Sequence, residues 1–193
     1  MACQTLSLDI IGVCDYENTT GVEVEAVIVN KSDIDYNALT FDVSNPNLCT
    51  NFQLKSGKTG YSLKGVKKNN AVLLENVANA AGSDKTKHTF NGVFPMTALN
   101  TKAITQIKAS SDGFVVIYMA KTVNIADVEA FRILGLEQGL YGSASHNSAE
   151  NGGAYSLSLA SADGSEEVKT IVFLKTTDYA TTKALFDAKF IEP

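Results

Sequence analysis

The chain has no tryptophan, only three prolines, three cysteines and two histidines. Each shortage closes off a class of protein. Without tryptophan a sugar-binding face loses its commonest platform, leaving Tyr61, Tyr141 and Tyr155 as candidate rings. Cys3, Cys14 and Cys49 are widely spaced, form no C-x-x-C pair and lie far from His88 and His146. A zinc site is therefore not expected; three reduced thiols in a protein made in a cytoplasm are. No apolar run approaches the ~18 residues of a membrane span, and the first apolar stretch is broken by Asp9 and Asp15 with no basic segment before it. Neither a membrane partner nor a secretory signal is expected, so the triplets Asn18-Thr19-Thr20 and Asn30-Lys31-Ser32 read as chance rather than as glycosylation sites. Basic charge is short too. Sixteen Lys and Arg against 21 Asp and Glu leave a net charge of −5, which argues against a nucleic-acid reader or a protein docked on anionic lipid.

What is present is a chain of 193 residues, 45% hydrophobic, enough for a real core. Thr, Ser, Asn, Ala and Gly are plentiful, a bias that suits a β-rich protein with a surface of small polar groups. Leu6 to Val13 reads as an opening strand. Val22 to Val29 alternates with period two, placing Val22, Val24, Ala26 and Ile28 on one face and Glu23 and Glu25 on the wet side. Leu39 to Val43 is another strand, stopped by Ser44-Asn45-Pro46-Asn47, and Lys87 to Phe94 alternates again. Leu99, Ala103 and Ile107 recur at helical spacing in a segment capped by Thr97 and closed by Gly113, which predicts a helix over 97–109. Phe114 to Met119 is apolar on both faces, as a central strand should be, and the helix is expected to pack over it. Short strands follow at Phe131 to Leu134 and Tyr155 to Leu159. Ala162-Asp163-Gly164-Ser165 reads as a hairpin turn into Val168 to Leu174, and a last helix runs from Asp178 to Phe190 with Tyr179, Phe186 and Phe190 on one face. Proline is scarce and no linker or repeat appears. The fold class is mainly β: one domain over 1–193, sandwich- or barrel-like, with one or two flanking helices.

The candidate chemistries are weak. Ser56-Gly57-Lys58-Thr59-Gly60 glances at a phosphate loop, but the first glycine of that motif is replaced by Phe52. Glu23 and Glu25 have no histidine or lysine signature beside them, and alternating carboxylates are usually a strand's wet side. Ser143 to Ser148 offers hydroxyls near His146, without the Gly-x-Ser-x-Gly elbow a nucleophile needs. Asp163 to Glu167 lacks the alternation of a calcium loop. No catalytic residue, metal or cofactor is expected. Two segments stand out instead as contact surfaces: a basic, glycine-hinged excursion at 55–70 carrying Lys55, Lys58, Lys64, Lys67 and Lys68, and a long polar loop at 141–154 carrying Tyr141 and His146. Opposite charge would steer the lysines onto an acidic neighbour, and loops this long are uncommon unless functional or mobile.

The order of these pieces resembles the tail-tube (major tail) proteins of phages. Ala103 to Ala109, a tight turn and Phe114 to Met119 look like the middle of that family. Ile133-Leu134-Gly135-Leu136-Glu137-Gln138-Gly139-Leu140 and Gly152 to Leu159 are similar to segments of Bacteroidetes-type phage tail proteins. The likeness covers roughly residues 97 to 175. It implies a sandwich or barrel-like fold flanked by a helix, a virion protein made in the host cytoplasm, and six copies per ring in a stacked hollow tube. DNA would pass through without specific binding, loops and terminal arms would lock adjacent rings, and other virion proteins would be partners. The family's lumen is typically acidic, which makes Glu23 and Glu25 lumen candidates; the lysine-rich excursion is a departure from the resemblance. A head-decoration or adaptor protein of the same particle, and a carbohydrate-binding sandwich module, are the alternative readings.

Overall fold

The computed structural model describes residues 18–65, 70–80, 82–122 and 130–191. The expected strand at Leu6 to Val13, and Lys67 and Lys68, lie outside the described residues. In chain order the elements are β1 (Asn18–Asn30), β2 (Thr40–Phe41), β3 (Leu48–Asn51), β4 (Tyr61–Lys64), β5 (Ala71–Val77), β6 (Lys85–Phe94), α1 (Ala98–Ala109), β7 (Phe114–Thr122), β8 (Phe131–Leu134), β9 (Tyr141–His146), β10 (Tyr155–Ala160), β11 (Val172–Leu174) and α2 (Tyr179–Asp187). The fold is mainly β, a two-sheet sandwich with two flanking helices. The large sheet has the order β2-β3-β11-β8-β7-β1-β4, with β3 and β11 parallel. The small sheet runs β5-β6-β10-β9 and is antiparallel throughout.

The large sheet is covered on both faces, and its central strands show why. On β7, Val115 and Ile117 enter a core shared with α2, while Val116 and Tyr118 enter a second core against the small sheet. β1 does the same from Ala26 onward: Ala26 and Ile28 face one core, Val27 and Val29 the other. The one-sided strand expected there gives way to a doubly buried one from Ala26 onward, while Glu25 just before it is exposed. Register shifts between Asn18 and Ala26 bend the strand before it enters the double core. Burying each such side chain contributes roughly 1.5–3 kcal/mol.

α2 closes the outer core. Asp178 caps it by accepting from Thr181 N–H at 2.7 Å, and Phe186 stacks on Phe131 at 5.2 Å. The helix ends at Asp187 rather than running to Phe190, because Lys189 and Phe190 turn left-handed at φ 58° and 63°. Phe190 thereby swings back onto Phe52, with ring centroids 5.1 Å apart, and burial of that ring offsets the strained backbone. Gly60 N–H donates to Lys189 C=O at 3.0 Å, so the glycine that resembled part of a phosphate loop is instead where the chain meets this turn.

Three expectations are corrected. The segment 141–154 is not a long loop: β9 spans Tyr141–His146 and pairs with all of β10, leaving a short connection with a 3₁₀ turn at Asn151–Gly153. Alternation was hidden because small residues occupy both of its faces. The excursion at 55–70 likewise contains β4, hydrogen-bonded to β1. The third correction is that residues 155–174 form no hairpin. Gly164 does turn the chain at φ 83°, but β10 belongs to the small sheet and β11 to the large one. In α1, Thr97 caps the start as expected, with Asn100 N–H donating to its hydroxyl at 3.2 Å. The helix packs chiefly on β9 rather than over β7: Ile107 sits against Gly142, where a Cβ would lie 2.1 Å from its Cγ2. Leu99, counted in the apolar stripe, is 76% exposed.

Candidate functional site

Of the five lysines expected to reach a neighbour, Lys55 and Lys58 are engaged within the chain. Lys55 Nζ donates to Ser32 C=O at 2.7 Å, and Lys58 forms a 3.0 Å ion pair with Asp33. Burial raises the pKa of Asp33, but hydrogen bonds from Asn30 and Lys58 outweigh it and hold the carboxyl below the ordinary carboxylate range. Lys64 lies on β4 directly opposite Glu25 of β1, and Ser62 Oγ donates to Glu25 at 2.7 Å. Glu25 therefore sits on the large sheet beside an edge strand; the side chain of Glu23 lies outside what the structure describes.

A buried polar knot ties the two sheets together. His88, on the inward face of β6, is 2% exposed. Its Nδ1 accepts from Gly135 N–H at 3.2 Å, which leaves Nε2–H to donate to Thr170 C=O at 2.9 Å. That arrangement requires a neutral ring, and burial lowers the His88 pKa against the opposing pull of Glu167. Glu167, also 2% exposed, accepts from the N–H groups of Glu137 and Gln138, both at 2.8 Å. Tyr36 OH donates to Leu136 C=O at 3.0 Å, and burial, helped by Glu167, pushes its pKa up to about 12. Both His88 nitrogens and both Glu167 oxygens are thus committed to backbone partners, the signature of a fastening.

The small sheet is different. Phe90, Leu157 and Leu159 face the core, so strand alternation turns Thr89, Asn91, Ser143, Ser145, Ser156 and Ser158 outward. Part of this face forms a shallow groove of about 350 Å³. Alternation also parts His146 from Ser143 and Ser145: the imidazole lies on the inward side, 5.6 Å from the Tyr155 ring. Lys87 is paired with Asp163 at 2.7 Å.

Among the described residues the two edges of this sheet are bare: no strand pairs with the outer side of β5 or of β9. Natural edges are usually shortened, bulged or armed with lysine or proline. β9 has six residues and no charge of that kind, β5 has seven with Glu75 its one charge, and both keep unbroken register with their inner neighbours. The large sheet, by contrast, ends in the two-residue β2 and in β4, which carries Lys64 and has α1 alongside.

No family model, curated protein or solved structure matches this chain. What it does must be read from its own geometry.

The sequence marks these edges only in part, since the small residues of β9 carry no strand period. The knot was missed altogether. Its signal was the polar pair Thr86 and His88 at the inward positions of a strand whose next inward residue is Phe90.

Proposed function

We propose that this chain is a structural, self-assembling virion subunit, a tail-tube protein whose copies form stacked, hexameric rings around a DNA passage. The supporting observation is the small sheet, whose two edges have no strand partner among the described residues. Its four strands alternate in direction, so β5 and β9 run oppositely. Joining β9 of one copy to β5 of the next therefore continues the antiparallel pattern without reversal. Such a head-to-tail contact uses two different surfaces and closes into a ring when the rotation per copy allows. The large sheet packs on one face of the small sheet, which leaves the other face to line the bore. That face carries hydroxyls and amides together with Leu73 and Val93; of its two lysines, Lys87 is paired with Asp163 and lies opposite Glu75, and Lys85 stands at the start of β6. Among the described residues its two lysines are matched by Asp163 and Glu75, which leaves passing phosphates little net positive charge to grip. In this arrangement the bore is lined by the small sheet, and Glu25 belongs to the outer layer.

Sedimentation across a concentration series, with negative-stain imaging of the same samples, tests the proposal. Hollow rods of constant width are expected at high concentration. A monomer at every concentration would sink it, and closed particles that never stack would favour the head-decoration alternative.

A further inference from the structure

The edges also specify how neighbouring copies would be staggered, an inference that rests on the self-assembly proposed above. On β6 the inward-facing residues bond towards the β10 side: Ser161 N–H donates to His88 C=O at 2.9 Å, and Thr86 exchanges bonds with Glu167 at 2.8 and 3.0 Å. Direction of bonding alternates along an antiparallel strand. Carried across the sheet, it leaves the inward residues Val72, Leu74 and Asn76 of β5 with amides and carbonyls aimed out of the sheet. On β9 the same holds for Gly142, Ala144 and His146. None of these six residues has another backbone partner among the described residues. The two edges thus present their unpaired groups on the same face-parity, and a join that keeps the faces aligned pairs them.

Registers that keep the faces aligned differ in steps of two residues. Without stagger, Tyr141 would meet Leu73 of the next copy, because Tyr141, Ala160, Thr89 and Leu73 form one row across the sheet. That row sits at one end of β9, and only residues 141–143 would find strand partners, at 71–73. Sliding the next copy by about four residues matches the whole of β9 instead. We infer that β9 pairs with β5 of the next copy in this staggered register, Tyr141 opposite Val77, Ser143 opposite Glu75 and Ser145 opposite Leu73. The inward pairs are then Gly142 with Asn76, Ala144 with Leu74 and His146 with Val72, giving about six backbone hydrogen bonds per joint.

Two further features fit. Four residues of slide over four strands is one residue of rise, about 3.3 Å, per strand spacing of about 4.8 Å. The strands would tilt by about 35° to the ring axis, within the range of roughly 35–45° that closed sheets adopt. The joint also confronts no charge with another, since Glu75 meets the Ser143 hydroxyl, and it covers Leu73, now 48% exposed.

Cysteine pairs test the register in a Cys3→Ser, Cys14→Ser background. The outward pairs of the joint are the non-hydrogen-bonded ones, with Cα atoms about 4.5 Å apart and able to accept a disulfide. Under mild oxidation of assembled protein, Leu73→Cys with Ser145→Cys should give a ladder of covalent dimers, trimers and higher species on a non-reducing gel. Leu73→Cys with Tyr141→Cys should remain uncrosslinked. The reverse result overturns the register, and so does an assembled protein that crosslinks in neither pair. Dimers from Ser145→Cys alone would replace the head-to-tail joint with a two-fold one. A chain that never assembles removes the proposed function itself, an outcome distinct from assembly in another register.

Discussion

The closest approach between α1 and the small sheet predicts a specific non-additivity. A Cβ on Gly142 would lie 2.1 Å from Ile107 Cγ2 and 3.3 Å from Leu159 Cδ2. Carbon atoms rest at about 3.5 Å or more, so Gly142→Ala must open the contact by about 1.4 Å. Ile107 cannot swing its Cγ2 aside, because a β-branched side chain has one strongly preferred rotamer in a helix. The helix or the strand has to move, a form of overpacking that costs about 1–3 kcal/mol. Loss of chain entropy in the unfolded state returns about 0.4–1 kcal/mol to the alanine variant, so a net loss of about 1–2 kcal/mol is expected. Ile107→Ala alone forfeits packing of a half-buried side chain, again about 1–2 kcal/mol. In the double variant the offending methyl is gone and the nearest Ile107 atom is its Cβ, at an ordinary 3.6 Å. The pair should therefore be at least about 1 kcal/mol more stable than the sum of the single losses. Urea unfolding followed by circular dichroism measures this, since the chain has no tryptophan to report by fluorescence. Dilute protein keeps assembly out of the equilibrium. Additivity within about 0.5 kcal/mol, at unchanged m-value, would refute the claim that this contact sets the seat of the helix.

Two further outcomes follow from the buried groups. The folded pKa of His88 lies below its ordinary 6.5, so beneath that pH the unfolded chain binds more protons than the folded one. Its contribution to stability is complete well above pH 6.5 and declines as pH falls towards the folded value, by at most about 1.4 kcal/mol per pH unit. Unfolding curves below pH 6.5 should show a loss of stability with falling pH in the parent that is smaller in His88→Asn; an unchanged slope would clear His88 of the effect. Burial pushes the Cys49 thiol up to about 12, so in the Cys3→Ser, Cys14→Ser background it should resist a thiol reagent in the native state. Rapid labelling without urea would contradict its burial.

How far the sequence carries depends on whether neighbours in the chain or neighbours in space settle a feature. Phe114 to Met119 announces a doubly covered strand by being apolar at every step, and Thr97 and Asp178 announce their helices by capping chemistry. Those signals are local and they survive folding. β9 failed the same test, because Tyr141-Gly142-Ser143-Ala144-Ser145-His146 is small on both faces and shows no hydrophobic period. Only the contact of Gly142 with Ile107 gives one face a reason to be small.

The amino-acid order by itself determined the mainly β character, the two helices, the central strand and the want of long apolar or basic segments, since each follows from periodicity, capping or charge over a few residues. Tertiary structure alone decided which strands share a sheet. It carried residues after Gly164 from one sheet to the other, engaged Lys55 and Lys58 inside the fold, and joined His88 and Glu167 to backbone groups far along the chain. It also decided which strand ends stay bare. The reason is physical: pairing in sheets and burial of polar groups are set by partners distant in sequence, and no local pattern encodes them.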